Sequence, residues 1–203
     1  MSAALTARLN QILPRVTSDD FLRGRGIGNE IAFHIFDYRA EEELAVRDHI
    51  AFLIDRIPKQ KPGIRMVHVN LFDFLLDYLR DRGLLDKSLK LQRERGDEAL
   101  EKALRGVLHE GKIARRFGEI ARPEEHDLVL ISGVGSAYPM LRSHTLLTNL
   151  HAKMGKTPLV LFYPGRYDRM TLRLFGKTGL VGGSLDDRKK SVNYYRAFRL
   201  IDE

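Results

Sequence analysis

The stretch from Asp127 to Tyr167, DLVLISGVGSAYPMLRSHTLLTNLHAKMGKTPLVLFYPGRY, constrains the fold more than any other part of the chain. Leu128–Ile131 is a short, wholly apolar, β-rich run, the pattern of a strand buried on both faces of a parallel sheet. Gly133 and Gly135 allow a sharp turn, and Pro139 suits the first turn of a helix, where its missing N–H costs nothing. Leu141, Thr145, Leu146, Thr148 and Leu150 continue at helical spacing. Leu159–Tyr163 is a second apolar run, which Pro164-Gly165 is expected to end. The unit reads as strand, helix, strand. In open parallel sheets ligands and partners meet the loops at the carboxyl ends of the strands, here SGVGSAYP and YPGRYD.

The rest of the chain supplies the other elements. Leu5, Leu9, Ile12 and Leu13 mark an amphipathic helix that Pro14 ends or interrupts. Arg23–Gly28 resembles a glycine-rich phosphate loop, but it precedes the first strand instead of following one, so it reads as a flexible basic loop. Ile31–Phe36 is the first strand, and Glu41-Glu42-Glu43 opens a helix to about Ile57, where acidic residues complement the helix dipole. Val46, Ile50, Leu53, Ile54 and Ile57 give its buried face, and Pro58–Gly63 is a turn. Ile64–Val69 is the second strand, followed by a helix from Leu71 to about Leu79. Leu84–Ala121 is helical throughout, broken at Gly96 and Gly111. Periodicity leaves open whether it is an insertion packed on one side of the sheet or a small helical subdomain. Arg166–Phe175 is expected to be a helix or helical turn, residues 176–192 a mobile glycine-rich loop, and Asn193–Ile201 the last strand. An arginine on each face of that strand, Arg196 and Arg199, argues for an edge position or for pockets at the sheet's end. The sum is one α/β domain over residues 1–203. It has a mostly parallel sheet of about five strands flanked by helices, with a helical insertion at about 71–121 between strands two and three.

Charge placement matters more than total charge. Of the net +7, all lies from Arg142 onward, where 12 Lys/Arg face 5 Asp/Glu; residues 1–141 hold 22 of each. That asymmetry suits an acidic partner, either nucleic acid or an acidic protein face, and equally a merely solvated basic surface. The chain contains no cysteine, which removes disulfides, thiolate metal sites and cysteine nucleophiles. The N-terminus lacks the apolar run of a secretory signal, and no stretch is long and apolar enough to span a bilayer. A soluble cytoplasmic protein without membrane association is expected.

The search for chemistry finds no catalytic, cofactor or metal site. Gly155-Lys156-Thr157 and Gly176-Lys177-Thr178 lack the preceding glycine of a phosphate loop, holding Leu150 and Thr171 there instead, and read as turns. The element order is similar to that of a P-loop ATPase core. The place of its phosphate loop, however, reads Asp37-Tyr38-Arg39-Ala40-Glu41-Glu42-Glu43. Four carboxylates without glycine or lysine would repel a triphosphate. His144 and His151 lack a carboxylate at ligand spacing, and His34 and His68 sit inside apolar strands as core histidines. Ser132 and Ser143 show no identifiable base, and Gly133-Val134-Gly135-Ser136 is not a nucleophile elbow. What remains is a cluster at one end of the sheet: Gly133, Gly135, Tyr138, Arg142, His144, Tyr163, Arg166, Tyr167 and Arg196. Arginine and tyrosine are the residue types that anchor protein interfaces. The competing reading is that Tyr163 and Tyr167 pack inside and that Arg142 pairs with a buried carboxylate such as Asp37.

The segments GIGNEIAFHIFDYRAEEELAVRDHI, VNLFDFLLDYLRDRGLLD, LISGVGSAYPMLRSHTLLTNL, PLVLFYPGRYD, LRLFG and NYYRAFRLI run from Gly26 to Ile201. In them the chain resembles the BrxB family of the BREX phage-defence systems, formerly a domain of unknown function. The resemblance implies a non-enzymatic component of a multiprotein assembly. Its companions there are a PglZ-type phosphatase-like protein, a methyltransferase and a large BrxC-type ATPase. It also implies a part in host-DNA methylation and in blocking phage replication. The leading expectation is an adaptor that docks a PglZ-type partner through the cluster at the sheet's end. Direct DNA binding through the basic C-terminal third is one alternative, and a degenerate nucleotide-binding sensor is another.

Overall fold

The structure is a computed structural model that describes residues 2–24, 33–141, 150, 154–169, 171–175 and 197–202. Among the described residues five strands form a parallel sheet: β1 (Phe33–Tyr38), β2 (Met66–Asn70), β3 (Leu128–Ser132), β4 (Leu159–Tyr167) and β6 (Phe198–Arg199). Their order is β2-β3-β4-β1-β6, and every neighbouring pair is parallel. A further strand, β5 (Leu172–Leu174), lies antiparallel to the end of β4. The arrangement agrees in outline with the P-loop-ATPase-like α/β order expected from the sequence.

Alternation along the strands divides the core into two layers. Phe36, Leu128, Leu130, Val160 and Phe162 face α1 (Ala3–Val16), the short α2 (Asp19–Leu22) and α3 (Glu43–Gln60). Ile35, Val129, Ile131, Leu159 and Leu161 face α4 (Leu71–Asp81), the end of α5 (Leu85–Leu104), α6 (Glu110–Ala121) and α7 (Val134–Ala137). The helices between β2 and β3 thus sit on one side of the sheet, as the insertion reading expected. Val46, Ile50, Leu53 and Ile57 of α3 are buried as expected, whereas Ile54 is exposed.

Several boundaries differ from the sequence reading, each for a local reason. Pro14 and Pro58 do not stop their helices; both are exposed in the last turn, where the carbonyls they leave without an N–H donor can face water. Gly96 does break α5, with φ 79°. The second break falls at residues 105–109, ahead of Gly111, because the His109 ring caps α6 by accepting from Gly111 N–H at 3.3 Å. Pro139 does not open a helix either. Gly133, at φ 74°, turns the chain so tightly that α7 begins at once, and Tyr138 before the proline is extended. Pro164-Gly165 does not end β4, and Arg166–Phe175 is not helical. The strand leaves its parallel neighbours and continues through Tyr167 by pairing with β5. The turn between them is held by Asp168, which accepts from Thr171 N–H at 2.6 Å and from its hydroxyl at 2.7 Å. The expected strands at Ile31 and Asn193 begin outside the described residues, as does the loop at 176–192.

His34 in β1 lies 4.5 Å from the Phe21 ring and 6.0 Å from Phe198. Burial, then the Arg15 charge, lowers its pKa from 6.5 to about 4. The unfolded chain therefore takes up this proton below pH 6.5 while the folded chain refuses it, so stability falls as pH drops from 6.5 towards 4. Because the ring is partly exposed, the expected loss from this group between pH 7 and pH 5 is about 1–2 kcal/mol. Urea denaturation of the His34→Phe variant should show a shallower acid dependence than the wild type. Some slope persists, because burial also lowers His68 and His49.

Candidate functional site at the carboxyl end of the sheet

All five parallel strands deliver their carboxyl ends to one edge. There β1 brings Asp37 and Tyr38, β3 brings Ser132, and β4 brings Tyr163 to Tyr167. The middle of this edge is filled by a buried ionic knot. Asp37 is 4% exposed. Its carboxylate accepts from Arg8 Nη2 of α1 at 3.0 Å and from the Tyr167 N–H at 2.9 Å, and Arg199 Nη2 of β6 lies at 3.5 Å. Arg199 also donates to the Tyr167 carbonyl, and the Tyr167 hydroxyl donates to the Ala197 carbonyl at 2.6 Å. The first helix, the first strand, the end of β4 and the C-terminal strand are thereby tied to a single carboxylate. Among the described strands β6 lies at the edge of the sheet, one of the two readings its arginines allowed, and Arg199 turns in to the sheet's carboxyl end.

This geometry divides the residues singled out in the sequence. Tyr163 and Tyr167 are buried, each 1% exposed, and belong to the core. Gly133 is buried where only glycine fits, since a Cβ there would lie 2.0 Å from Asn70 Oδ1. That Asn70 oxygen caps α4 by accepting from Phe72 N–H at 3.0 Å. Gly135 lets Pro164 and Phe175 approach α7, with their ring atoms 3.1 and 3.2 Å from where its Cβ would stand. Tyr138 is half-buried, its ring edge-on to Phe175 at 6.1 Å. Arg166 is exposed. Arg142, His144 and Arg196 lie outside the described residues. Asp37, the candidate partner for Arg142, is engaged by Arg8 and Arg199 among the described residues.

Two features escaped the sequence reading. The β5 strand adds Arg173 and Phe175 to the edge. Ser132, read as lacking a base, has His68 Nε2 at 2.8 Å from its hydroxyl oxygen. Burial holds that imidazole below its usual range, so it is neutral near pH 7. Ser132 is only 8% exposed, and among the described residues no carboxylate hydrogen-bonds the second ring nitrogen. The pair satisfies two polar groups between adjacent strands and lacks the open, oriented geometry of a nucleophile and base.

The position of a phosphate loop, between β1 and α3, is closed. Tyr38 donates its hydroxyl to Glu43 Oε2 at 2.7 Å, and burial with this bond raises its pKa. The chain then makes one 3-10 turn, Ala40–Glu42, that exposes Glu41. The first Gly-Lys-Thr is a turn: Gly155 has φ 56°, and the Thr157 hydroxyl donates to the Pro123 carbonyl at 2.7 Å. Among the described residues no helix is long and apolar enough to cross a membrane.

Comparison with known proteins agrees with the resemblance seen in the sequence. The family described as BREX protein BrxB matches residues 67–200. A protein of Bacillus cereus (strain H3081.97) named BREX protein BrxB is 36% identical over 203 residues, covering 98% of each chain. One of the same name from Escherichia coli O9:H4 (strain HS) is 38% identical over 199 residues, covering 98% of this chain and 92% of its own. No solved structure matches. With near-complete coverage on both sides, the chain belongs to the BrxB family of BREX phage-defence proteins.

Proposed function

We propose that this protein is a non-enzymatic adaptor that docks another component of its BREX system through the carboxyl edge of the sheet. A PglZ-type protein is the first choice of partner, ahead of the methyltransferase and the BrxC-type ATPase. In that role it supports host-DNA methylation and phage restriction. One observation carries the reading: the place where relatives of this fold class bind small ligands is plugged by the Asp37 knot, while the rim around it exposes Arg166, Phe175 and part of Tyr138. A plugged centre with an aromatic and arginine rim offers little to a small substrate and much to a protein surface.

The structure changes which substitutions test this. Tyr167→Ala would remove a buried ring and its bond to Ala197, so lost binding would report misfolding. Arg166→Ala and Phe175→Ala alter exposed groups. Each is expected to weaken co-purification with the tagged partner about tenfold or more, Arg166→Ala at an unchanged melting temperature and Phe175→Ala with a small drop, because its ring also packs on Tyr138 and α7. Unaltered co-purification would move the interface elsewhere. The DNA reading rests on the basic C-terminal third. Of its four described arginines, Arg169 pairs with Asp202, Arg173 with Asp168 and Arg199 with Asp37, which leaves Arg166 without an acidic partner among the described residues. Binding to duplex DNA that falls steeply with salt would restore it.

A further inference from the structure

On the β4–β5 hairpin, Arg166 stands directly opposite Arg173. Opposed residues of an antiparallel pair point to the same face with Cβ atoms about 5 Å apart, and like charges there repel. Both side chains lie on the outer face, since Tyr167, Leu172 and Leu174 on the other face pack on the core. Arg166 has no acidic partner among the described residues. Arg173 has Asp168 at 3.3 Å, but both oxygens of that carboxylate also accept bonds from Thr171. The backbone beneath the pair is tied down. Gly165 brings the two backbones close, Phe175 N–H donates to the Pro164 carbonyl at 2.9 Å, and Tyr167 is locked to Asp37 and Ala197. Two exposed guanidiniums carried on adjoining, opposed positions can close on one anion between them, with bidentate carboxylate geometry within reach.

The surroundings select the kind of anion. Phe175, 41% exposed, lies next along β5, and Leu44, 71% exposed, opens α3 at the same edge of the sheet. A nucleic-acid backbone needs a track of cations and would meet two apolar side chains there instead. A protein segment can set a carboxylate at the arginines and an apolar side chain on Phe175 together. We propose that Arg166 and Arg173 form a clamp for a carboxylate on an acidic, apolar-flanked segment of a protein partner, with the neighbouring apolar side chain resting on Phe175. This rests on the adaptor reading and specifies the chemistry of its docking site.

The clamp is tested without the partner. The full chain is labelled with nitrogen-15 at arginine and titrated with a short synthetic peptide of Glu-Glu-Leu repeats, and in parallel with a random-sequence DNA duplex. The Nε–Hε signals of Arg166 and Arg173 are expected to shift together with peptide. The Arg166→Gln, Arg173→Gln double variant should bind the peptide about tenfold or more weakly. Equal peptide binding by the double variant, or shifts of these signals with DNA alone, would overturn the clamp. Co-purification of the wild type with each BREX component judges the adaptor reading separately: its failure beside a successful peptide titration removes the adaptor and leaves the clamp.

Discussion

Replacing Asp37 with alanine is expected to cost about 3–5 kcal/mol of folding stability, a large share of the roughly 5–15 kcal/mol of a typical domain. The truncation removes the acceptor shared by Arg8, Arg199 and the Tyr167 N–H. Two guanidiniums then face each other in a site from which water is largely excluded. Their side chains retain 18% and 14% exposure, and Arg8 lies over the Phe36 ring at 4.7 Å. Partial solvation and the cation–π contact both relieve the loss, which places the value towards the lower end of the range. Asp37→Asn keeps an acceptor for Tyr167 but loses the charge, so it should fall between alanine and wild type. Replacing Arg8, Asp37 and Arg199 together with apolar residues of similar size should cost less than Asp37→Ala alone, because no buried charge is left without its counter-charge. Urea denaturation of the four proteins gives this order directly. A loss below about 1 kcal/mol for Asp37→Ala would mean that water reaches the knot and that it does not hold the chain ends.

The layer structure was legible because strands buried on both faces are written as continuous apolar runs. Leu128–Ile131 and Leu159–Tyr163 became β3 and the first part of β4, and the amphipathic spacing of Val46 to Ile57 became α3. The hairpin is invisible to the local rule by which Pro-Gly stops a strand. In fact β4 only changes partners there, from parallel β1 to antiparallel β5. A signal did exist: in Tyr163-Pro164-Gly165-Arg166-Tyr167 the tyrosines stand four residues apart, two strand periods, so they share a face with Gly165, and Arg166 falls on the opposite one. Continuing the strand would have sent both tyrosines inward, as observed. The Asp37 knot was only half legible. Its carboxylate stood out as a candidate for burial, but Arg8 and Arg199 lie near opposite ends of the chain, and periodicity carries no record of such long-range pairing. The His68–Ser132 pair needed the register of β2 on β3, which sets Asn70 beside Ser132 and His68 two residues earlier. Arg173 and Phe175 were unread for the same reason as the hairpin.

Gly165→Ala is expected to cost about 2–3 kcal/mol and, through the same displacement, to abolish partner capture. The new Cβ would lie 2.2 Å from the Arg173 carbonyl oxygen, 2.8 Å from Tyr163 Cε1 and 3.0 Å from the Arg173 carbonyl carbon. Two of these atoms are backbone and the third belongs to a buried ring, so none can yield as the tip of a flexible side chain would. The strain must therefore separate β5 from β4. That breaks the pairing of Arg166 with Arg173 and withdraws Phe175 from Tyr138 and α7. Gly106→Ala is the control, since nothing lies within 4 Å of its added Cβ and its backbone is ordinary; it should be neutral or slightly stabilising. Thermal denaturation and co-purification of both variants separate two roles for the hairpin. If Gly165→Ala loses stability and capture while Arg166→Ala loses capture alone, the backbone positions the docking arginines and the side chains make the contact. If Gly165→Ala melts with the wild type, β5 stands farther from β4 than found here, and the rigidity on which the carboxylate clamp depends is absent.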